Sequence, residues 1–166
     1  MSDLQRVQRR VKYHHWAADR TMNGIATLSA KQLDEPMGGS FGNGRALLRH
    51  VIGVERLWCD RWSGKSPKGL PEYPATHGGA DFRDEWNTIK ADQKRFVDAL
   101  TDKRLGTDLT YTNIKGETST QPLAEIFEHV VNHGSYHRGQ LTHLLRDRGI
   151  AATPTDYLVF MKEFPL

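Results

Sequence analysis

The chain has 166 residues, of which 37% are hydrophobic and 26% charged, a composition typical of a single globular domain covering residues 1–166. No apolar run is long enough to cross a membrane, and the first residues, Met-Ser-Asp-Leu-Gln-Arg, lack the apolar core of a signal peptide. We therefore expect a cytoplasmic protein without a membrane partner. A single cysteine, Cys59, excludes an internal disulfide framework. The net charge of +3 is not gathered into a basic stripe, which argues against nucleic acid as a partner.

The first half of the chain predicts two long helices. Apolar residues recur at three- and four-residue steps over residues 3–29, as they do along an amphipathic helix. Residues 31–44 contain one proline and four glycines, which indicates a loop. A second helix is predicted over residues 44–62, followed by a long irregular connection over residues 63–79, where three prolines and four glycines occur.

The second half predicts two further long helices and a hairpin. A helix capped by Asp81 is expected to continue to about residue 101. Residues 109–120 are rich in β-branched side chains and predict a small hairpin. A proline at the start and a glycine at the end delimit a fourth helix over residues 122–149, and residues 157–164 predict a short terminal helix. Four amphipathic helices predict an all-α fold, a four-helix bundle.

Two histidines on the fourth helix lie where its apolar face should be. At about 100° per residue, Ile126 and Leu144 lie within about 20° of His133, and His137 lies about 40° away from it. Two imidazoles spaced four residues apart on one helical face can bind a single metal ion. The pair therefore indicates half of a metal site.

His50 on the second helix also lies on an apolar helical face. It shares a helical face with Leu47, Val54 and Leu57 and should point into the bundle. A single buried histidine is more often a hydrogen-bonded core residue, but three are harder to satisfy inside an apolar stripe. Three histidines from two helices are typical of a metal site with three protein ligands, which leaves a fourth position open for water or substrate.

Other polar residues can belong to the same site. His129 lies one turn before His133 and is a candidate ligand, a candidate group surrounding the ligands, or a residue at the pocket margin. Gln140 lies about 20° from the direction of His133 and can hydrogen-bond within the site. His14 occupies the apolar face of the first helix, where we expect it to serve in core packing. We assign no role to His15, His77 and His143.

Four further side chains have competing interpretations. Cys59 follows His50 by nine residues, about 900°, so it faces away from the site and is expected to be a small packing residue. Trp58 and Tyr136 can edge the pocket, although aromatic residues at helical spacing are more often core. Arg138 lies about 140° from His133 and indicates an interface or a contact between helices.

Two segments of the sequence resemble the paired signatures of the DinB family. They are Leu48-Arg-His50-Val-Ile-Gly-Val-Glu-Arg-Leu-Trp58 and His129-Val-Val-Asn-His133-Gly-Ser-Tyr-His137-Arg-Gly-Gln140. The similarity continues through Tyr13 and Trp16, Thr112-Asn113, Gly116 and Pro154-Thr-Asp156. The resemblance implies an up-down-down-up bundle, often paired as a homodimer, in which His50, His133 and His137 hold a divalent ion, zinc or nickel.

The same resemblance implies an activity. Family members with known reactions resemble thiol-dependent transferases and isomerases, so we expect a metal-dependent enzyme that brings a small thiol and a small electrophile together. Hydrolysis is also compatible with the ligands, although Gly134 stands where the zinc-protease pattern has a glutamate base. The alternative is a metal-binding stress-response protein without turnover. Only the enzyme needs a substrate cavity beside the ion.

Overall fold

The computed structural model describes all 166 residues, Met1–Leu166, as helices with one two-stranded sheet. The elements in chain order are α1 (Asp3–Ile25), α2 (Ala30–Asp34), α3 (Gly44–Trp62), α4 (Gly79–Asp98), α5 (Asp102–Leu105), β1 (Asp108–Thr112), β2 (Thr118–Pro122), α6 (Leu123–Asp147) and α7 (Tyr157–Glu163). The four long helices α1, α3, α4 and α6 pack side by side, which confirms the predicted four-helix bundle, its hairpin and its short terminal helix. None of the helices combines the length and the apolar composition needed to span a bilayer.

The relative directions of the long helices follow from the residues that meet between them. The contacts are Arg10–Glu128 and Tyr13–Arg138 between α1 and α6, His50–His137 and Trp58–His129 between α3 and α6, and His15–Gln93 and Asp19–Lys90 between α1 and α4. Residue numbers rise together only between α1 and α6, so these two helices are parallel, while α3 and α4 run opposite to them. The bundle is therefore up-down-down-up, as the resemblance implied.

The interior contains two large apolar clusters with polar side chains between them, and a third, small cluster around Phe160 joins α7 to α1 and α6. The larger cluster surrounds Ile25 and Trp86, and the second surrounds Trp62 and Phe127 near the hairpin. At the level between the clusters each long helix contributes a polar side chain, and we call this set the polar layer: His14, Glu55, Gln93 and Arg138. A charged group in this layer needs partners, because burial of an unpaired charge is costly.

The segment after α1 differs from its prediction. The first helix was expected to continue to residue 29, but it ends at Ile25, and α2 forms inside the predicted loop. The Ser29 hydroxyl accepts a hydrogen bond from the Gln32 backbone N–H, and Gln32 Oε1 accepts one from the Ser29 N–H. This reciprocal capping satisfies two N–H groups at the start of α2 and accounts for the extra turn of helix.

The start of α4 also differs. Asp81 was predicted to cap this helix, but α4 begins at Gly79, and Asp81 accepts a hydrogen bond of 2.8 Å from the Gly78 N–H. A β-carbon at Gly79 would lie 1.7 Å from the Ile25 carbonyl oxygen, so close packing onto the end of α1 requires glycine there. Asp81 is therefore the third residue of α4 and not the residue that precedes the helix. Its negative charge in the first turn still complements the helix dipole.

The remaining boundaries agree closely with expectation. The strands pair antiparallel from Asp108↔Pro122 to Thr112↔Thr118, so the proline predicted in the first turn of α6 is instead the last residue of β2. Gly149 follows α6 with a φ of 71°, the left-handed conformation common just beyond a helix end. The single turn α5 was not predicted.

Candidate metal centre

His50 reaches the site through the way in which α3 begins and packs. The side-chain oxygen of Asn43 accepts a hydrogen bond of 2.8 Å from the Ala46 N–H and so caps the helix. Leu47 and Leu48 are fully buried in the larger apolar cluster, which fixes the rotation of α3. The half-buried ring of His50 consequently contacts His137 of α6.

The structure brings His50, His133 and His137 together, and we call these three residues the histidine triad. Nε2 of His137 lies 3.1 Å from Nε2 of His50 and 3.1 Å from Nε2 of His133. One ring nitrogen from each residue lies within 4.8 Å of the others. The two imidazoles of α6 are adjacent because they lie one helical turn apart, and His50 approaches from the antiparallel helix.

Gln140 determines which nitrogen of His137 is available. Nδ1 of His137 donates a hydrogen bond to Oε1 of Gln140 over 2.7 Å, since a carbonyl oxygen can only accept. The proton therefore resides on Nδ1, and the lone pair on Nε2 points toward the other two imidazoles. A hydrogen bond of this kind orients metal-binding histidines. The sequence prediction that Gln140 bonds within the site agrees with this contact.

Electrostatics favour neutral imidazoles at His133 and His50. Burial, followed by repulsion from His137, lowers the pKa of His133 to about 4. The same two causes lower the pKa of His50. A proton competes with a metal ion for the nitrogen lone pair, so these shifts leave the lone pairs free at neutral pH.

The donor set fits a divalent metal ion. Imidazole nitrogens bound to zinc at about 2.0–2.1 Å in tetrahedral geometry stand roughly 3.3–3.4 Å apart. Two of the three separations in the triad, from Nε2 of His137 to Nε2 of His50 and of His133, are close to this at 3.1 Å. In the tautomers that leave all three Nε2 atoms unprotonated, three lone pairs converge on one point, as metal binding requires. The triad could therefore hold a metal ion with three protein ligands.

A cavity of about 420 Å³ lies beside the triad and is lined by side chains that contact the triad, not by the three histidines themselves. Its walls come from the loop between α2 and α3 and from the exposed face of α6, including Met37, Phe41, Tyr136, Gly139, Gln140 and His143. The ring of Phe41 lies 5.2 Å from the ring of His50, and the ring of Tyr136 lies 4.9 Å from that of His137. Tyr136 is 66% exposed, so it edges the pocket rather than belonging to the core. Sequence reasoning missed Phe41, whose only signal was an aromatic residue within a glycine-rich loop.

His129 lies outside the group of three. Its ring is 6.0 Å from that of His133 and packs edge-on against Trp58 at 5.3 Å. His129 is exposed, whereas Trp58 is buried in the apolar cluster near the hairpin. Of the alternatives that the sequence left open for His129, the structure places it at the margin of the site.

The polar layer lies beside the triad, and sequence reasoning missed most of it. Nε2 of His14 is 3.0 Å from Oε1 of Glu55, and Gln93 donates a hydrogen bond of 2.8 Å to the other carboxylate oxygen. Burial alone would raise the pKa of Glu55, but the attraction of His14 and the hydrogen bond from Gln93 outweigh it and lower that pKa. Gln93 also bonds His15, to which no role was assigned.

Arg138 completes this layer as a contact between helices, one of the two roles predicted for it. It donates hydrogen bonds to the Tyr13 hydroxyl at 3.1 Å and to the Ser135 hydroxyl at 2.7 Å. His14 is 2% exposed and packs in the core as expected, but among polar partners. Cys59 is buried, and burial raises the pKa of its thiol to about 11, which agrees with a packing role rather than a nucleophilic one.

Comparison with known proteins identifies the relatives of this bundle. The sequence profile of the DinB family matches residues 1–163. The chain belongs to the DinB family. Protein DinB of Bacillus subtilis strain 168 is 27% identical over 158 residues, covering 90% of this chain and 90% of that protein.

Solved structures of DinB-like proteins share the fold. A DinB-like protein from Bacillus cereus ATCC 10987 superposes with a TM-score of 0.65 at 19% identity, covering 86% of this chain and 91% of that one. YfiT from Bacillus subtilis superposes with a TM-score of 0.66 at 14% identity, covering 91% of each chain. YfiT is described as a "probable metal-dependent hydrolase" with an unusual four-helix bundle topology. At these identities the likeness concerns the fold alone.

Proposed function

We propose that this DinB-family protein is a metal-dependent enzyme that joins a small thiol to a small electrophile. The observation that supports an enzyme over a simple metal-binding protein is the cavity of about 420 Å³ beside the triad. A protein that only stores or senses a metal ion needs the ligands but no adjoining space for a second molecule. Ligand sites are concave and mostly apolar, with a few polar groups, and this cavity has that character.

His50, His133 and His137 would hold the ion. Imidazole nitrogen suits both zinc and nickel, and we propose one of these two. Bound to three neutral ligands, such a cation would supply a positive charge that lowers the pKa of a nearby thiol or water.

The protein's own side chains position the reactants. Phe41 and Tyr136 offer aromatic surfaces on either side of the triad, which suit the carbon skeleton of an apolar electrophile. In the reaction the thiol loses its proton to solvent, and its sulfur forms a bond to the electrophilic carbon. The leaving group departs with the electron pair of the bond that breaks.

A hydrolase is the second candidate, and the description of YfiT favours it. The same ligands and cavity would then serve a water molecule as the nucleophile in place of a thiol. No carboxylate occupies the place of the zinc-protease base, where Gly134 stands, so a different group would have to accept the proton.

Elemental analysis of single variants tests the metal site. His50→Ala, His133→Ala and His137→Ala should each lose most of the bound metal, whereas the matched control His129→Ala should retain it. Stoichiometric metal in His50→Ala would refute the triad. The control removes an imidazole from the same helix at the margin of the site.

Assays of turnover distinguish the candidate reactions. The metal-loaded protein should conjugate a chromogenic aryl chloride to at least one of several small thiols, and Phe41→Ala should raise KM for that electrophile. Hydrolysis of a chromogenic ester without thiol conjugation would favour the hydrolase. Bound metal with neither activity would favour the stress-response protein without turnover.

A further inference from the structure

Arg61 is a buried cation without a hydrogen-bond acceptor. The residue is 5% exposed, and its Nε is fully buried without any partner. Arg61 forms no ion pair, whereas the nearby carboxylates Asp60 and Asp92 pair with Arg56 and Lys65. Buried polar groups are nearly always hydrogen-bonded, so an exception of this kind needs an explanation.

The other buried arginines show what is usual in this fold. Arg45 bonds the carboxylate of Asp34 and two carbonyl oxygens, and Arg138 bonds two hydroxyl groups. Both are as buried as Arg61, with exposures of 7% and 5%. The missing partners of Arg61 are therefore not a general consequence of burial in this bundle.

Two aromatic rings hold the guanidinium of Arg61 in place. Its central carbon lies 4.6 Å from the ring centroid of Trp58 and 4.4 Å from that of Tyr111 on β1. Such rings attract a cation and restrict its orientation, but they offer no acceptor in the plane of the guanidinium. Only Nε is completely enclosed, so the two terminal nitrogens retain contact with solvent and remain available to a ligand.

Arg61 lies on the same helical face as the triad. It follows His50 by eleven residues, about 1,100° of rotation, which returns it to within about 20° of the same direction and roughly 16 Å along the axis. A row of ring contacts joins the two places: His133 to His129 at 6.0 Å and His129 to Trp58 at 5.3 Å. Helical side chains point toward the amino end, which shortens the distance from Arg61 to the triad.

We propose that Arg61 binds a carboxylate group of the small molecule that reacts at the triad. A carboxylate presents two acceptor oxygens that match the guanidinium fork. The substrate class is thereby narrowed to carboxylate-bearing molecules, of which one end lies at Arg61 and the reactive end at the triad. The position of the reactive end rests on the proposed function, whereas carboxylate binding by Arg61 does not.

Carboxylate binding by Arg61 is tested in the absence of any reaction. The Nε–H resonance of Arg61 in the zinc-loaded protein is assigned from its absence in Arg61→Lys and followed during titration with succinate. We expect a saturable shift with succinate and none with succinamide, its neutral analogue, at equal concentration and ionic strength. Absence of the succinate shift, or an equal shift with succinamide or chloride, would overturn the proposal. The titration itself uses the wild-type protein, so its result does not depend on the folding of a variant.

Enzyme kinetics test whether the substrate that reacts at the triad carries the carboxylate that Arg61 binds. Arg61→Met should raise KM for a carboxylate-bearing thiol about tenfold, in line with the loss of a charge-assisted hydrogen bond, and leave kcat and the KM of the esterified thiol unchanged. Arg146→Met is the matched control, because Arg146 is exposed and equally without partners. An equal effect on the thiol and its ester would contradict the assignment. Succinate binding at Arg61 without any turnover would uphold the assignment and count against the proposed function.

Discussion

Nδ1 of His137 donates a hydrogen bond to Oε1 of Gln140 over 2.7 Å, one helical turn along α6. This bond places the proton on Nδ1 and leaves Nε2, the nitrogen that meets His50 and His133, with a free lone pair. The contact therefore connects the tautomer of one imidazole to the capacity of the whole triad to bind a cation.

Removal of this acceptor should weaken metal binding. Gln140→Leu should lower the affinity for zinc roughly tenfold, because hydrogen bonds to metal-binding histidines contribute about that much. Gln140→Glu keeps an acceptor at the same place and should retain most of the affinity. Competition with a chromogenic chelator measures both values. Equal affinities for the wild type and Gln140→Leu would show that the bond does not orient His137.

The buried carboxylate of the polar layer should be important for stability. Glu55→Ala leaves His14 and Gln93 without their partner in the core and should reduce the free energy of unfolding by about 3 kcal/mol. Glu128→Ala is the comparison, because its pair with Arg10 is 46% and 40% exposed and should cost less than about 1 kcal/mol. Urea unfolding of the three proteins measures the difference, and similar values for the two variants would contradict this prediction.

Substitution by alanine should have opposite effects on stability at two glycines of α6. A β-carbon at Gly134 would lie 2.3 Å from Cε1 of His14, so Gly134→Ala must displace a ring of the polar layer and should cost about 2 kcal/mol. A β-carbon at Gly139 meets nothing within 4 Å, and Gly139→Ala should stabilise the helix by up to about 1 kcal/mol. Thermal unfolding distinguishes them. A stabilised Gly134→Ala variant would show that His14 is free to move.

The metal-free protein should lose stability in acid. The pKa of His133 and of His15 is about 4 in the folded protein, in both cases chiefly because of burial, against 6.5 ordinarily. Between these values the unfolded chain binds more protons than the folded one, so the free energy of unfolding decreases as the pH falls. We expect it to be level above about pH 6.5 and to drop between pH 6.5 and 4.

Urea unfolding at several pH values measures this dependence. His15→Leu should make the drop smaller, because it removes one of the imidazoles whose pKa is lowered by burial. His143→Gln is the control, since the ring of His143 is exposed, and it should leave the slope unchanged. A pH-independent free energy in this range for the wild-type protein would contradict the predicted burial of both rings.

Local signals explain why much of the fold was predictable. Regular apolar spacing predicted the four long helices, and Gly149 marked the end of α6 because its left-handed conformation suits glycine. The start of α4 was missed, since Gly79 is required by the carbonyl oxygen of Ile25 in another helix. Contacts between distant segments of this kind leave no periodic pattern in the sequence.

The site was predictable to the extent that helical phase determines it. Spacing alone put His50, His133 and His137 on interior faces, because one turn of helix relates residues four apart. The hydrogen bond from His137 to Gln140 follows from the same regularity. Phe41 was missed because a loop has no periodicity from which its direction could be read.

The sequence by itself determined the helices, their apolar faces and the presence of three histidines facing inward. Only the tertiary structure decided that His129 lies at the margin of the site, that Glu55 joins His14 and Gln93 in the core, and that Arg61 has no acceptor. The physical reason is that helix formation depends on residues three and four apart, whereas these contacts depend on how far one helix is shifted along another. That shift is set by side-chain packing over the whole bundle.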